Sequence, residues 1–146
     1  MVTKTRHVGI VVKDLENAVS FYEGLGMKLF SRNIDTGDYI DTLVSLKKTK
    51  LEWAKLELPD NSLLELLKYH SSPSVGEPTI TLQESDRLGC SHIAFTVTDI
   101  EDTIRYIQNN GGAIKNEYQI SPDGNVKVAY CYDLEGNILE IVQELK

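Results

Sequence analysis

The chain has 146 residues, a formal charge of −7 and 41% hydrophobic, 8% aromatic and 25% charged residues, an ordinary balance for a soluble globular protein that can bury one core. An acidic chain repels phosphate backbones, so nucleic acid is excluded as the expected partner. The apolar run Val8 to Val12 is cut by Lys13, so the N-terminal region reads neither as a signal peptide nor as a membrane span.

The chain opens on HVGIVVKD from His7, a β-branched run that predicts a strand. Asp14 then stands where a helix N-cap belongs, because its carboxylate can accept from the free amides of the first turn. Leu15, Val19, Tyr22 and Leu25 follow at helical spacing, and Gly24 and Gly26 end the helix. Three strand regions are expected next, near Lys28–Asn33, Ile40–Leu46 and Trp53–Leu67. Turns at Thr36-Gly37-Asp38 and Pro59-Asp60-Asn61 punctuate them. Lys47, Lys48, Lys50 and Lys55 read as a solvated strand edge or loop, with an anionic substrate tail as the second reading. A polar stretch carrying Pro73 and Pro78 predicts a linker over about 70–89, or a lid, and its neighbour His70 reads as a surface residue.

The organisation then repeats. HIAFTVTDIEDTIRYI from His92 matches HVGIVVKDLENAVSFY from His7 at a constant offset (92 − 7 = 85), aligning Asp99 with Asp14 and Gly111 with Gly26. Ile100, Ile104 and Ile107 form the second helix stripe, ended by Gly111 and Gly112. Strands are expected near Ile114–Ile120, Lys127–Asp133 and Ile138–Gln143. The closing strands also correspond, Glu65 in LLEL with Glu140 in ILEI, but at a shorter offset (140 − 65 = 75). The first module therefore holds about ten extra residues in its interior. Module one is expected over about 5–69 and module two over about 90–146. Cys90 and Cys131 form no CxxC pair, which favours a reduced, cytoplasmic setting, and Cys90 reads as a small buried hydrophobe.

Side chains alternate across a strand. Val8, Ile10 and Val12 should meet the helix, with His7, Gly9 and Val11 on the other face. Ile93, Phe95 and Val97 should do likewise, leaving His92, Ala94 and Thr96 on the open side. One strand histidine is ordinarily a satisfied structural residue, and one glutamate in an apolar strand is ordinarily edge-exposed. Here both recur at matched positions. Two carboxylates sunk in apolar strands repel each other unless a cation joins them. His7, Glu65, His92 and Glu140 therefore read as an N2O2 ligand set for one divalent metal ion (Zn, Ni, Co, Mn or Fe). Trp53, Tyr39 and Tyr130 are open between pocket wall and core.

These motifs, with DLEGNILE ending at Glu140, resemble the vicinal-oxygen-chelate superfamily of glyoxalase I, methylmalonyl-CoA epimerase, extradiol dioxygenases and the fosfomycin and bleomycin resistance proteins. The resemblance implies an α+β fold, with two paired βαβββ modules forming a half-open barrel, and a homodimer that binds a small-molecule substrate. The His/Glu/His/Glu pattern resembles glyoxalase I and its epimerase relatives most. That implies a lyase or isomerase moving a proton alpha to a carbonyl through a cation-stabilised enediolate or enolate, with Glu140, and with it Glu65, as base. An Fe(II) extradiol-type dioxygenase, needing only two His and one Glu, is the alternative, as is a non-catalytic small-molecule binding protein of the resistance type. Val11 stands where glyoxalase I usually has a glutathione-holding arginine, for which Arg32 is the substitute candidate. Glu52 is the candidate for the separate base of the epimerase.

Overall fold

A computed structural model describes residues 1–70 and 81–146. Pro73, Pro78 and half of the expected linker lie outside the described residues. The chain divides into two compact units, Met1–Pro78 and Thr79–Lys146.

In the first unit, β1 (Val8–Val11) leads into α1 (Leu15–Gly24), followed by β2 (Lys28–Thr36), α2 (Asp38–Val44), β3 (Lys50–Glu57) and β4 (Leu63–Tyr69). The four strands make one sheet in the order β1-β4-β3-β2. The outer pair β1–β4 is parallel and the rest antiparallel. Asp14 caps α1 as its position requires, its side chain accepting from the Asn17 amide at 3.1 Å. Gly26, at φ +100°, turns the chain out of the helix into β2, a conformation that side chains with a Cβ rarely adopt. Helix α1 packs over β3 and β4. Ile10, Val12, Leu15, Tyr22, Ala54, Leu56, Leu64 and Leu66 are buried in the layer between them. Each fully buried Leu or Ile contributes roughly 1.5–3 kcal/mol.

In the second unit, β5 (His92–Val97) leads into α3 (Ile100–Asn109), the short β6 (Ala113–Ile114) and β7 (Gln119–Ile120), then β8 (Val126–Tyr132) and β9 (Ile138–Glu144). The sheet order β5-β9-β8-β6 repeats that of the first unit, again with a parallel outer pair, β5–β9. Asp99 caps α3, accepting from the Asp102 amide at 2.8 Å. Ile100, Ile107, Ala129, Cys131, Leu139 and Ile141 fill this core.

Two expected strands are corrected. Ile40–Leu46 is not a strand but lies largely in helix α2. Gly37, at φ +90°, starts that helix and Asp38 and Asp41 lie in its first turn, where acidic side chains suit the helix dipole. The Asp41 carboxylate then accepts from the Lys48 and Thr49 amides at 2.8 and 2.7 Å, folding the following loop back. Only Ile40 of its apolar residues is buried, so the apolar run carried no strand pattern of burial. This seven-residue helix lies in the stretch that holds the extra residues of module one. Likewise Ile114–Ile120 is not continuous: β6 and β7 are two-residue pieces. Between them the Lys115 ammonium donates to the Tyr132 hydroxyl at 2.7 Å.

Candidate metal centre

The ladder geometry determines which side chains share a face. In β3–β4, Lys55 pairs with Glu65, Trp53 with Leu67, Ala54 with Leu66 and Leu56 with Leu64. The last two pairs are buried beneath α1, so Glu65, Lys55 and Trp53 lie on the opposite, open face. Gly9 of β1 is the other neighbour of Glu65. In the second unit Glu140 stands between Ala94 of β5 and Tyr130 of β8. Its neighbours Leu139 and Ile141 are buried on the helix side with Cys131 and Ala129.

Within each unit the expected histidine and glutamate come together. His7 Nε2 is 2.9 Å from Glu65 Oε2, and His92 Nε2 is 2.9 Å from Glu140 Oε2. All four side chains are partly covered; the glutamates are 12% and 22% exposed and the histidines 32% and 34%. The same two atoms converge in both copies, though the two residues reach them from elements of different offset. Among the described residues no group of three or more His, Cys, Asp or Glu side chains is gathered closely enough to hold a metal ion. What each unit builds by itself is one imidazole nitrogen in direct contact with one carboxylate oxygen. Two such pairs offer the borderline-hard donors that first-row divalent cations accept, so the donor chemistry fits a metal.

The surroundings of the two pairs differ. His92 Nδ1 is 2.7 Å from Ser91 Oγ, and its ring lies 5.4 Å from that of Tyr130, tilted by 38°. These contacts orient the ring. His7 Nδ1 is instead buried without a hydrogen-bond partner among the described residues. Glu65 has a second neighbour, Lys55, whose Nζ is 3.4 Å from Oε1. For Glu140, His92 is the one side-chain partner found among the described residues.

Several side chains fall elsewhere than expected. Arg32 pairs with Ala54 in the ladder and lies on the helix side. It binds Glu16 of α1 and Glu52, and its pKa is raised by Glu16 first and Glu52 second. It therefore does not replace an arginine at position 11. Glu52 shares that side, two residues from Ala54. Arg32 and then His70, whose Nε2 is 2.8 Å away, hold its carboxyl below the usual range. Glu52 is thus committed to an ion cluster on the face opposite Glu65. Cys90 is exposed, not buried. Lys47, Lys48 and Lys50 are solvated as expected, but Lys55 is half-buried beside Glu65. Tyr39 is exposed, and Trp53 donates from Nε1 to Asp35 Oδ2 at 2.7 Å. Ser91 was passed over in the sequence, and Lys55 was read there only as one of a run of lysines.

The α+β fold repeats one sheet order in both units, with a His–Glu contact in each. The chain belongs to the Glyoxalase/Bleomycin resistance protein/Dioxygenase superfamily, whose model matches residues 4–141. It is 27% identical over 150 aligned positions to a lactoylglutathione lyase of Schizosaccharomyces pombe, covering 97% of this chain and 47% of that protein. The chain thus spans about half the length of the curated relative it matches. Among solved structures, a glyoxalase family protein from Bacillus cereus superposes with a TM-score of 0.87 at 25% identity, covering 100% of this chain and 97% of the other. A fosfomycin resistance protein from Listeria monocytogenes, solved with Mn(II) and sulfate, shares the fold with a TM-score of 0.62 at 17% identity, covering 98% and 93%.

Proposed function

We propose that His7, Glu65, His92 and Glu140 are the protein ligands of one divalent metal ion. We further propose that the chain is a metal-dependent lyase or isomerase that moves a proton alpha to a carbonyl of a small molecule. The observation that carries this reading is the recurrence of one contact, His Nε2 to Glu Oε2 at 2.9 Å, in both units. Superfamily membership and the similarity to a lactoylglutathione lyase support it. The Mn(II) in the fosfomycin resistance relative supports the metal. A fourth, carboxylate ligand in Glu65 favours proton transfer over dioxygenase chemistry, which needs only two His and one Glu.

The bound cation would supply Lewis acidity to two adjacent substrate oxygens. The protein's own part is to hold the substrate and move the proton. Glu140 is the proposed base. Its carboxylate takes the proton from the carbon next to the carbonyl and returns it to the neighbouring carbon or the opposite face. Glu65 is tied on its other oxygen by Lys55, whereas Glu140 keeps an oxygen without a side-chain partner among the described residues. Ser91 and Tyr130 hold the His92 ring in place beside Glu140.

The test follows solvent deuterium. Metal-loaded protein should wash deuterium into the alpha carbon of one member of a panel of hemithioacetals, 2-oxo acids and acyl thioesters, read by proton NMR. Glu140→Gln should lose the exchange. Exchange that persists after exhaustive chelation, or turnover that consumes oxygen, would overturn the proposal.

A further inference from the structure

We infer that Lys55 is a specificity residue that selects substrates carrying an anionic group, a carboxylate, next to the reacting carbonyl. This rests on the metal reading above and deepens it. The inference concerns the first unit alone. Lys55 lies directly across the β3–β4 ladder from Glu65, on the open face. Its side chain is 24% exposed, and its ammonium sits 4.4 Å from the centroid of the Trp53 ring. Trp53 is itself pinned by its hydrogen bond to Asp35. A tethered aromatic under an ammonium restricts where the charge can go, and the pair attract each other.

The pairing of Lys55 with its glutamate is longer than that of another strand lysine. Lys127, which ties β8 to the helix residue Glu101, makes its contact at 2.8 Å. Lys55 stops at 3.4 Å from Glu65. Among the described residues Glu65 is its sole acidic partner within ion-pair reach. Asp35, on the same face, is occupied through both oxygens, by Trp53 and by Asn33.

Charge balance then points to the ligand. Two carboxylates neutralise one divalent cation, and neutral imidazoles add nothing. With Glu65 shared with a metal ion, Lys55 would be less fully neutralised. A partly covered ammonium beside a metal dication is unfavourable until an anion arrives. The corresponding ladder position in the second unit is Tyr130, across from Glu140, which carries no positive charge. In the first unit alone, therefore, the residue across the ladder from the site glutamate is a cation. It would hold the carboxylate end of a 2-oxo acid.

The experiment uses Trp53, the one tryptophan of the chain, as reporter. Metal-loaded protein is titrated with pyruvate and with its uncharged methyl ester, and dissociation constants are read from Trp53 fluorescence and checked by calorimetry. Metal content is measured on the same samples. The ratio of the two constants is compared between the wild type, Lys55→Met and Lys55→Arg. Lys55→Met should reduce the preference for pyruvate by about tenfold or more, the usual worth of a charge-assisted hydrogen bond. Lys55→Arg should restore most of it, and metal content should stay stoichiometric in all three. A ratio that Lys55→Met leaves within about twofold of the wild type, or the absence of binding by either probe to metal-loaded protein, overturns the inference and leaves the metal reading standing. Protein that takes up no metal overturns both.

Discussion

If four residues from two modules hold one ion, removing any one of them should remove the whole ion and not half of it. Glu65→Gln and Glu140→Gln test this from the two sides, since each keeps the shape of the side chain and deletes one anionic donor. In the absence of metal each His–Glu contact is a part-exposed pair at 2.9 Å, worth no more than about 1 kcal/mol. With free Mn(II) at about 100 times its Kd, binding stabilises the folded chain by about 2.7 kcal/mol. Unfolding entropy of about 2.1 cal/mol/K per residue gives this 146-residue chain about 0.3 kcal/mol per degree. The metal should therefore raise Tm by about 9 °C where both modules unfold together, whereas loss of one pair in metal-free protein should lower it by about 3 °C. Differential scanning fluorimetry with Mn(II) and with EDTA, beside elemental analysis of dialysed protein, reads both quantities. The expected result is one metal per chain in the wild type, and neither a bound metal nor an upward shift in either variant. Two metals per wild-type chain, with one surviving in each variant, would mean that the modules bind separately and would refute the four-ligand reading.

Two further outcomes follow from the ionisable groups. Glu52, held by Arg32 and His70, and Asp41, held by the Thr49 amide, have their pKa values lowered on folding. Groups of this kind stabilise the fold above their unfolded pKa and lose that contribution as pH falls through the folded one. Urea midpoints should thus be insensitive to these groups above about pH 5 and fall below it. Glu52→Gln should shallow that acid limb, and an unchanged limb would show that the cluster does not couple to folding. Burial pushes the Cys131 thiol up to about 11, whereas Cys90 is exposed. A disulfide reagent at pH 8 should titrate one thiol per native chain and two in denaturant. Two fast thiols in the native protein would contradict the packing of β8 against α3.

Much of this architecture was legible because local rules and global fold agree. Asp14 and Asp99 were readable as caps since only a short acceptor before an amphipathic run satisfies the first amides, and both are caps. The stripes of Leu15, Val19 and Tyr22 and of Ile100, Ile104 and Ile107 have the helical period and are buried, with Ala18 and Phe21 beside the first, while Leu25 of the expected stripe is only half-buried. Helix α2 was missed for a physical reason. Tyr39 and Leu43 are exposed, so its composition looks like a strand while no buried stripe marks its period. Its start depends on Gly37 at positive φ and its end on the Asp41 carboxylate, and neither signal is an apolar pattern. The offset change from 85 to 75 recorded an insertion there without saying what form it took.

The neighbours of the two glutamates were within reach of the sequence, and the route is hairpin symmetry. Lys55 and Glu65 stand equally far on either side of Asp60 in the Pro59-Asp60-Asn61 turn (60 − 55 = 65 − 60 = 5). Tyr130 and Glu140 do the same about Glu135 (135 − 130 = 140 − 135 = 5). Antiparallel pairing about such a turn puts each couple across one ladder, on one face. Counting lysines as a charge run hid this, because a run is a property of sequence distance while a ladder pairs residues across a turn. Arg32 shows the converse. It is the nearest arginine by eye, but the bulge between Leu29 and Ser31 shifts the register of β2 and pairs it with Ala54 on the helix side. Face is what separates these two cations. Lys55 and Arg32 are both basic strand residues with acidic neighbours, but only Lys55 shares the side of the sheet that carries Glu65. Arg32 therefore fastens α1 to the sheet through Glu16, whereas Lys55 stands beside Glu65.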